Sequence, residues 1–251
     1  MRAAIFILLF ILTNSTLALL YPFSLSRFFL CAALYAIGNI VMIYLLFYPR
    51  SQLLVTNRSQ VNTGGKRNVA LSFDDGPNPQ HSEMLLRILR ERSVKATFFV
   101  IGKHVIENPD LARLLVAEGH QVANHTYSHP PFFCFLTPRR LKWELKECQE
   151  AIIQTCGLTP KYFRSPVGLR HPMLRKYLLE AGLEFISWRV RGYDSRIQDP
   201  GALASKITGR VRPGDIILLH DKSGKATDRM LEALPRIIDE LKHQGFEFVL
   251  V

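Results

Sequence analysis

The amino-acid sequence predicts an α/β fold built on a parallel sheet. From residue 69 onward, short apolar stretches alternate with longer amphipathic ones, which is the pattern of parallel strands joined by helices. Helix-like stretches begin with proline and end at glycine, as Pro109 to Gly119 and Pro172 to Gly182 do,. Polar side chains also follow the apolar stretches, at the strand ends where α/β proteins place functional residues.

The first fifty residues form a separate, strongly apolar region. Residues 3–20 carry no charge over 18 positions, and residues 28–48 carry none over 21. A span needs about 20 apolar residues, so residues 28–48 are predicted to be a transmembrane helix, with a buried core helix as the alternative. Residues 3–20 are predicted to be either a second span or a signal peptide cleaved near Ala18. We expect residues 1–50 to be a membrane region with one or two transmembrane helices.

Basic residues flank this region unequally. The short connection between the two segments contains one basic residue, Arg27. Cytoplasmic flanks of membrane spans are enriched in Lys and Arg, so both termini are predicted to be cytoplasmic at a bacterial inner (cell) membrane. Five basic residues lie on the other side: Arg2, Arg50, Arg58, Lys66 and Arg67.

The remaining sequence divides into a linker and one domain. Residues 51–68 are polar and are predicted to be a linker, and residues 69–251 to be the folded domain. This domain is too short for a complete eight-fold barrel of about 250 residues, so we expect an open or incomplete barrel or a doubly wound sheet. The predicted strands are 69–73, 96–101, 121–124, 161–164, 184–190, 215–219 and 246–250. The predicted helices are 82–92, 109–118, 138–155, 172–181, 202–209 and 226–243.

Composition limits the classes of partner. The net charge is +11, with 32 Lys and Arg against 21 Asp and Glu, which favours anionic lipid headgroups or a phosphate-bearing substrate. No run of basic residues is interleaved with aromatics, so nucleic acid is not an expected partner. The cysteines lack a zinc-type spacing and are expected to be buried thiols: Cys31, Cys134, Cys148 and Cys156,.

Two histidines in Asn124-His-Thr-Tyr-Ser-His-Pro130 indicate a metal site. His125 and His129 are four positions apart, so on one helical turn they would face the same way. A carboxylate from the first strand would complete three N and O ligands and leave a position open for water or substrate. The alternative is two ordinary surface or core histidines.

The sequence Val69-Ala-Leu-Ser-Phe-Asp-Asp-Gly-Pro77 supplies that carboxylate and a second one. If one aspartate binds a metal, the other remains free beside it to accept a proton from the attacking water. Gly76 allows a sharp turn and Pro77 fixes the exit of the chain. The alternative is a simple turn with capping acids.

Taken together, these segments resemble the five motifs of the polysaccharide deacetylases, carbohydrate esterase family 4, which share a NodB-type homology domain. The resemblance covers residues 69–251 and implies a distorted (β/α)7 barrel with a bound divalent metal ion, usually zinc. The matching segments are Ser72-Phe-Asp-Asp-Gly-Pro77, His125-x-x-x-His129, Arg164-Ser-Pro-Val-Gly168, Asp194 and Leu218-Leu-His220.

The resemblance also implies a role for each matched residue. Asp74 would be the general base and His220 the general acid that protonates the departing amine. Arg164 would orient the base, and Asp194 would pair with the catalytic histidine or the arginine network. The metal ligands would be Asp75, His125 and His129. The Val167 N–H would hold the oxyanion, and Leu218 would line the pocket for the acyl methyl.

Two motifs depart from the family pattern. The third often has an aromatic residue where Val167 stands, which preserves a main-chain role but removes sugar stacking. The fourth usually has a tryptophan shortly after its aspartate, which is missing here. Asp194 and Asp199 therefore compete for this role, and the position of Asp194 after a strand favours it.

The sequence thus predicts a membrane-anchored, metal-dependent hydrolase that removes an N-acetyl group from an amino sugar. The sugar would belong to a polysaccharide, to peptidoglycan or to a polyprenyl phosphate. Deformylation of a similar lipid-linked sugar is an alternative, because it needs the same groups. A catalytically inactive carbohydrate-binding membrane protein is a second alternative, and a nucleic-acid-binding protein would rest only on the high pI of 9.7.

Overall fold

The computed structural model describes residues 25–48, 52–194 and 196–251. The helices in these residues are α1 (Leu25–Phe47), α2 (Ser82–Glu91), α3 (Gly102–Glu107), α4 (Pro109–Ala117), α5 (Pro138–Cys156), α6 (Leu174–Ala181), α7 (Pro200–Thr208) and α8 (Lys225–His243). The strands are β1 (Asn57–Arg58), β2 (Asn68–Asp74), β3 (Thr97–Val100), β4 (Gln121–Asn124), β5 (Tyr162–Phe163), β6 (Glu184–Ile186), β7 (Val190–Arg191), β8 (Ile216–His220) and β9 (Glu247–Phe248).

The strands form one parallel sheet that remains open on one side. Its order is β1-β6-β5-β4-β3-β2-β8-β7, with β9 added next to β2. Each ladder is parallel, and in the described residues β1 and β7 end the sheet without pairing with each other. The predicted α/β fold with an incomplete parallel barrel is therefore confirmed, and the doubly wound alternative is not needed.

The register aligns the carboxyl ends of the central strands. Asp74, the last residue of β2, pairs with His220 at the end of β8 and with Phe99 in β3. Val100 pairs with Asn124, the last residue of β4. Residues that follow β2, β4 and β8 therefore begin at the same rim of the half-barrel.

Strand periodicity decides which side chains face the inside of the half-barrel. In β2, Leu71 and Phe73 join the outer core, where they pack with α2 and α8. Ala70 lies in the inner cluster with Leu218 of β8. Because alternate side chains of a strand point to opposite faces, Asp74 and His220 continue the inner face.

The end of α1 contacts the domain. Leu46 is buried in a cluster with Leu54 and Phe163, and its carbonyl oxygen accepts the Arg170 N–H at 3.0 Å. None of the helices in the described ranges combines the length and apolarity that crossing a membrane requires. The predicted span at 28–48 is therefore not supported, and the one at 3–20 lies outside the described residues.

Three local features differ from the predicted pattern. The stretch predicted as one strand at 184–190 is split into β6 and β7, because residues 187–189 leave the ladder. Helix α3 was not predicted. Within the segment predicted as a linker, β1 pairs with β6, and Val61 is buried.

The four cysteines are free thiols, of which Cys134 and Cys148 are buried and the other two half-buried.

Candidate active site

A small cleft of about 130 Å³ opens at the carboxyl ends of β2, β4 and β8. It brings together seven of the nine residues that the sequence singled out, and the other two, Arg164 and Asp194, lie directly behind it. The lining residues are Asp74, Asp75, His125, His129, Val167, Trp188, Arg191, Leu218, His220 and Lys222.

Asp74 is held from below by a buried arginine. The Arg164 Nη1 donates to Asp74 Oδ1 at 2.6 Å and to Ser72 Oγ at 2.9 Å, and its side chain is fully buried. The guanidinium also lies 3.9 Å above the centre of the Phe99 ring. Burial lowers the pKa of Arg164, while the Asp74 carboxylate acts in the opposite direction. One carboxylate oxygen is thus occupied and the other faces the cleft.

Asp75 lies between the two histidines. Its Oδ1 is 3.4 Å from His125 Nε2 and 3.4 Å from His129 Nε2. Asp75 adopts a φ of 78°, a left-handed conformation that aspartate tolerates better than most residues. This conformation is why two successive carboxylates at a strand end both reach the cleft.

The histidine segment is a loop, so the predicted helical turn is wrong. Thr126 and His129 have positive φ values of 69° and 52°. The buried Glu144 of α5 accepts the Tyr127 and Ser128 N–H groups at 3.0 and 2.8 Å. These bonds curl the chain and bring the two histidine rings to 5.1 Å between centroids.

The charges of this cluster are strongly coupled. Burial raises the pKa of Asp75, but His125, His220 and His129 outweigh it, so the pKa lies far below the usual range. Burial lowers the pKa of His125, and Asp74 and Asp75 more than compensate, which leaves it raised. For His129, burial and the neighbouring His125 charge lower the pKa.

These three side chains fit a divalent metal ion. The ligand atoms of these three side chains all lie within 4.8 Å of one another. Among the described residues, no other group of three or more His, Cys, Asp or Glu side chains is close enough to hold a metal ion in this way. The His125 Nδ1 donates to the Arg164 carbonyl oxygen at 2.8 Å, which directs Nε2 toward the cleft, as a hydrogen bond from the other ring nitrogen does in metal-binding histidines. Two imidazoles and one carboxylate are a donor set typical of catalytic zinc, which leaves further positions open.

His220, at the end of β8 next to β2, is oriented by Asp194. Asp194 accepts hydrogen bonds from the His220 Nδ1 at 2.9 Å and from the His220 backbone N–H at 3.0 Å. Burial lowers the pKa of His220, and Asp194 outweighs it, so the pKa is raised. The competing Asp199 lies elsewhere, capping α7 through a bond from the Ala202 N–H.

Val167 and Leu218 complete the cleft. Val167 has a φ of 57°, a strained conformation for a β-branched residue, and it is 59% exposed. A Cβ on the next residue, Gly168, would lie 2.6 Å from the Trp188 ring, so glycine is required for Trp188 to stand there. Leu218 is almost fully buried and presents an apolar surface.

Sequence reasoning missed Trp188, Arg191, Lys222 and Asp221. The first three line the cleft. Asp221 lies behind it, where its backbone N–H donates to the Asp74 carbonyl oxygen at 2.8 Å. The rule that functional residues follow strands would have found Trp188, but the predicted strand 184–190 ran through it. Burial raises the pKa of Asp221 to about 6.

The arrangement contains the groups that amide hydrolysis needs. Asp74 is placed to accept a proton, and His220, at the end of the adjacent strand, is placed to donate one,. Arg191, Lys222 and Val167 also line the cleft, so cationic side chains lie near the place where negative charge would develop. A polar cleft with an apolar wall at Leu218 suits a small acyl group attached to a hydrophilic molecule.

Comparisons with known proteins agree with this arrangement. Residues 61–186 match the sequence profile described as "Polysaccharide deacetylase". A chitooligosaccharide deacetylase of Bradyrhizobium sp. (strain ANU 289) is 34% identical over 206 residues, which cover 78% of this chain and 94% of that protein. The solved structure of a peptidoglycan N-acetylglucosamine deacetylase superposes with a TM-score of 0.73 at 29% identity, covering 78% of this chain and 90% of that one.

A structural neighbour with a different description limits what the fold implies. It is a CE4 family pseudoenzyme from Bacillus anthracis, with a TM-score of 0.71 at 26% identity, and the superposition covers 78% of this chain and 67% of that one. A shared fold is therefore separate from shared activity. The profile match and the Bradyrhizobium relative show that the chain belongs to the polysaccharide deacetylase family.

Proposed function

We propose that this protein is a metal-dependent hydrolase that removes the N-acetyl group from an amino sugar of a glycan or of a lipid-linked sugar. The observation that carries this proposal is the cleft itself, which brings Asp74 and His220 together with the cluster of Asp75, His125 and His129. Relatives named as chitooligosaccharide and peptidoglycan deacetylases support the substrate class.

Each residue has a role in this proposal. A divalent ion, most simply zinc, bound by Asp75, His125 and His129 would polarise the amide carbonyl and activate water. Arg164 holds Asp74 so that its free oxygen can accept the water proton. His220, oriented by Asp194, protonates the departing amine, because an amine leaves poorly without a proton. The Val167 N–H stabilises the oxyanion, and Leu218 contacts the acyl methyl.

Deformylation is the second candidate activity, because a formyl group needs the same acid, base and metal. The apolar wall at Leu218 favours acetyl, since a formyl hydrogen would leave that wall without a contact. The inactive alternative is less well supported, because each side chain that the chemistry needs is present in the cleft or directly behind it.

The location is a further part of the proposal. We place the protein at a bacterial cell membrane with its catalytic domain on the cytoplasmic side. Its support is the excess of Lys and Arg that flanks residue 48 on the carboxyl side,, together with the exposed apolar side chains of α1, such as Ile37 and Ile40.

Asp74→Asn tests the activity. We expect acetate release from chitooligosaccharides by the zinc-loaded protein to fall by about 10²- to 10⁴-fold, because amide cannot act as the base. Bound zinc, measured by mass spectrometry, should remain. The control is Asp110→Asn, the same change at an exposed position of α4, which should keep full activity.

The remaining outcomes separate the alternatives. Release of formate from N-formyl sugars without acetate release would favour the deformylase. Full activity of Asp74→Asn would refute the assigned base. Because Arg164 loses its charged partner in this variant, urea unfolding must accompany the assay to show that the protein is folded.

A further inference from the structure

A second cavity, much larger than the catalytic cleft, adjoins it along the open edge of the half-barrel. Its volume is about 580 Å³, and Trp188 and Arg191 line both spaces. One side is the edge strand β7, and the other is the segment between α7 and β8, which contributes Arg210 and Arg212. The two spaces meet at Trp188 and Arg191, so a ligand in the cleft that extends past these side chains enters the cavity.

The cavity is strongly cationic. Among the described residues that line it are four arginines, Arg189, Arg191, Arg210 and Arg212, and one acid, Asp215. Both carboxylate oxygens of Asp215 already have partners. Its Oδ1 is 3.3 Å from Arg189 Nε, and its Oδ2 accepts the Arg212 backbone N–H at 3.0 Å. The acid therefore does not neutralise the other guanidinium groups.

Arg191 provides a second and independent indication of a ligand. Its Nε is buried and has no hydrogen-bond partner among the described residues, although a buried donor without a partner is costly. The guanidinium lies 5.3 Å from the centre of the Tyr193 ring, which holds it at the junction of the two cavities. An anionic oxygen at this point would satisfy the unpaired donor.

We propose that this arginine cavity, formed by Arg191, Arg210 and Arg212 beside the cleft, binds a phosphate group that is esterified to the amino sugar of the substrate. Guanidinium groups bind phosphate through paired, charge-assisted hydrogen bonds, and three of them suit a group with several acceptor oxygens. This inference rests on the proposed function, because it places the sugar in the catalytic cleft.

An aromatic surface beside the arginine cavity could contact a group attached to the far side of the phosphate. Tyr48, directly after α1, lines the arginine cavity and stacks on Tyr44 with ring centroids 4.9 Å apart. Both rings are exposed. A free sugar phosphate and a sugar phosphate carried on an apolar chain share the same anionic group, and this aromatic surface would contact the chain of the second.

The test compares charged and neutral sugars on the full-length protein. The variant is R210Q/R212Q, because both side chains are exposed and lie outside the proposed catalytic machinery. The control is R139Q/R175Q, which removes the same charge from exposed positions of α5 and α6. Calorimetry measures binding of N-acetylglucosamine 1-phosphate, and acetate release is measured with this compound and with neutral diacetylchitobiose.

We expect R210Q/R212Q to raise the Kd for N-acetylglucosamine 1-phosphate about tenfold or more, since each charge-assisted bond contributes substantially. Acetate release from diacetylchitobiose should not change, and the control should match the wild type in both assays. An unchanged Kd, no binding by the wild type, or equal losses with both sugars would overturn the proposal.

The same measurements distinguish this inference from the proposed function. Arginine-dependent binding without acetate release from either sugar would support the phosphate site and refute the hydrolase. Acetate release from diacetylchitobiose with an unchanged Kd would do the opposite. A decyl phosphodiester of N-acetylglucosamine identifies the source: tighter binding than the free phosphate indicates a lipid carrier, and equal binding indicates a soluble sugar phosphate.

Discussion

Single residues in this site depend on the neighbours that hold them. Asp194 is 2% exposed and faces His220 with both carboxylate oxygens. It therefore fixes which ring nitrogen of His220 faces the cleft, and it stabilises the protonated form. The sequence left Asp194 and Asp199 in competition, and the structure separates them, because one contacts His220 and the other caps a helix.

Asp194→Asn is expected to reduce kcat/KM at least tenfold and to move the alkaline limb of its pH profile about one unit downward or more. A general acid must be protonated, so activity is lost as pH rises through its pKa. Asp194 raises the pKa of His220, and its neutralisation lowers that pKa. The profile is measured as acetate release against pH.

Asp199→Asn is the matched control for this experiment. It should leave the pH profile in place and cost at most about 1 kcal/mol through the weakened cap of α7. If both variants shifted the limb equally, or if neither did, Asp194 would not be the partner that sets the protonation of His220.

Individual residues also show where sequence reasoning ends. The positions of Asp74, Asp75 and His220 follow from strand periodicity and from the parallel register, so the sequence is enough to place them at one rim. The loop of His125 and His129 depends on two positive φ values and on the distant Glu144, and no local pattern predicts it. Trp188 was not predicted to be a site residue because the ends of short strands are hard to predict, and the predicted strand 184–190 included it,.

At the scale of elements, the strongly apolar strands were predictable and the edge elements were not. Strands β2, β3, β4 and β8 are buried runs whose predicted bounds agree within one or two residues. By contrast, β1 and β7 have two residues each, and their ladders depend on tertiary contacts. The open edge between them, where the arginine cavity lies, was therefore outside what periodicity can predict.

The link between β3 and β4 gives a prediction at this scale. His120 lies directly before β4, and its Nδ1 accepts the Ala96 N–H at 3.2 Å, directly before β3. Burial, together with the nearby Lys95 charge, lowers the pKa of His120 from 6.5 to about 4. A proton on Nδ1 would break this bond and place a charge in the core.

We expect the free energy of unfolding to fall by about 2 kcal/mol as pH decreases from about 6.5 to about 4, through His120 alone. Stability falls as pH decreases because His120 has a higher pKa in the unfolded chain, so acid protonates the unfolded chain first and favours it. His120→Asn keeps an acceptor but does not titrate, so it should lose less stability over this range in urea unfolding.

The control is His243→Asn at the exposed end of α8. It should retain the pH dependence of the wild type. The explanation would be wrong if His120→Asn and the wild type lost the same stability between neutral and acidic pH.

At the scale of the whole molecule, the site exists only when distant segments assemble. Asp75 follows β2, the histidines follow β4, and the carbonyl oxygen of Arg164 at the end of β5 orients His125. The five motifs could be found in the sequence because their order along the chain is fixed. The convergence of these motifs at one site depends on the parallel sheet. The contact of α1 with Arg170 could not be predicted from any of the motifs.

This assembly predicts that metal binding stabilises the whole domain. The three ligands are far apart in the unfolded chain, so a metal ion binds the folded state preferentially, which adds about 2.7 kcal/mol at a concentration of 100 times its Kd. For a protein of this size we expect removal of zinc by a chelator to lower Tm by about 5–10 °C, measured by calorimetry, with recovery when zinc is returned. Asp75→Asn should lose this response because it removes a ligand, whereas Asp194→Asn, which changes a carboxylate outside the donor set, should retain it. Equal chelator effects on the wild type and on Asp75→Asn would show that the stabilising metal binds elsewhere, since a site that includes Asp75 cannot keep its affinity without that carboxylate.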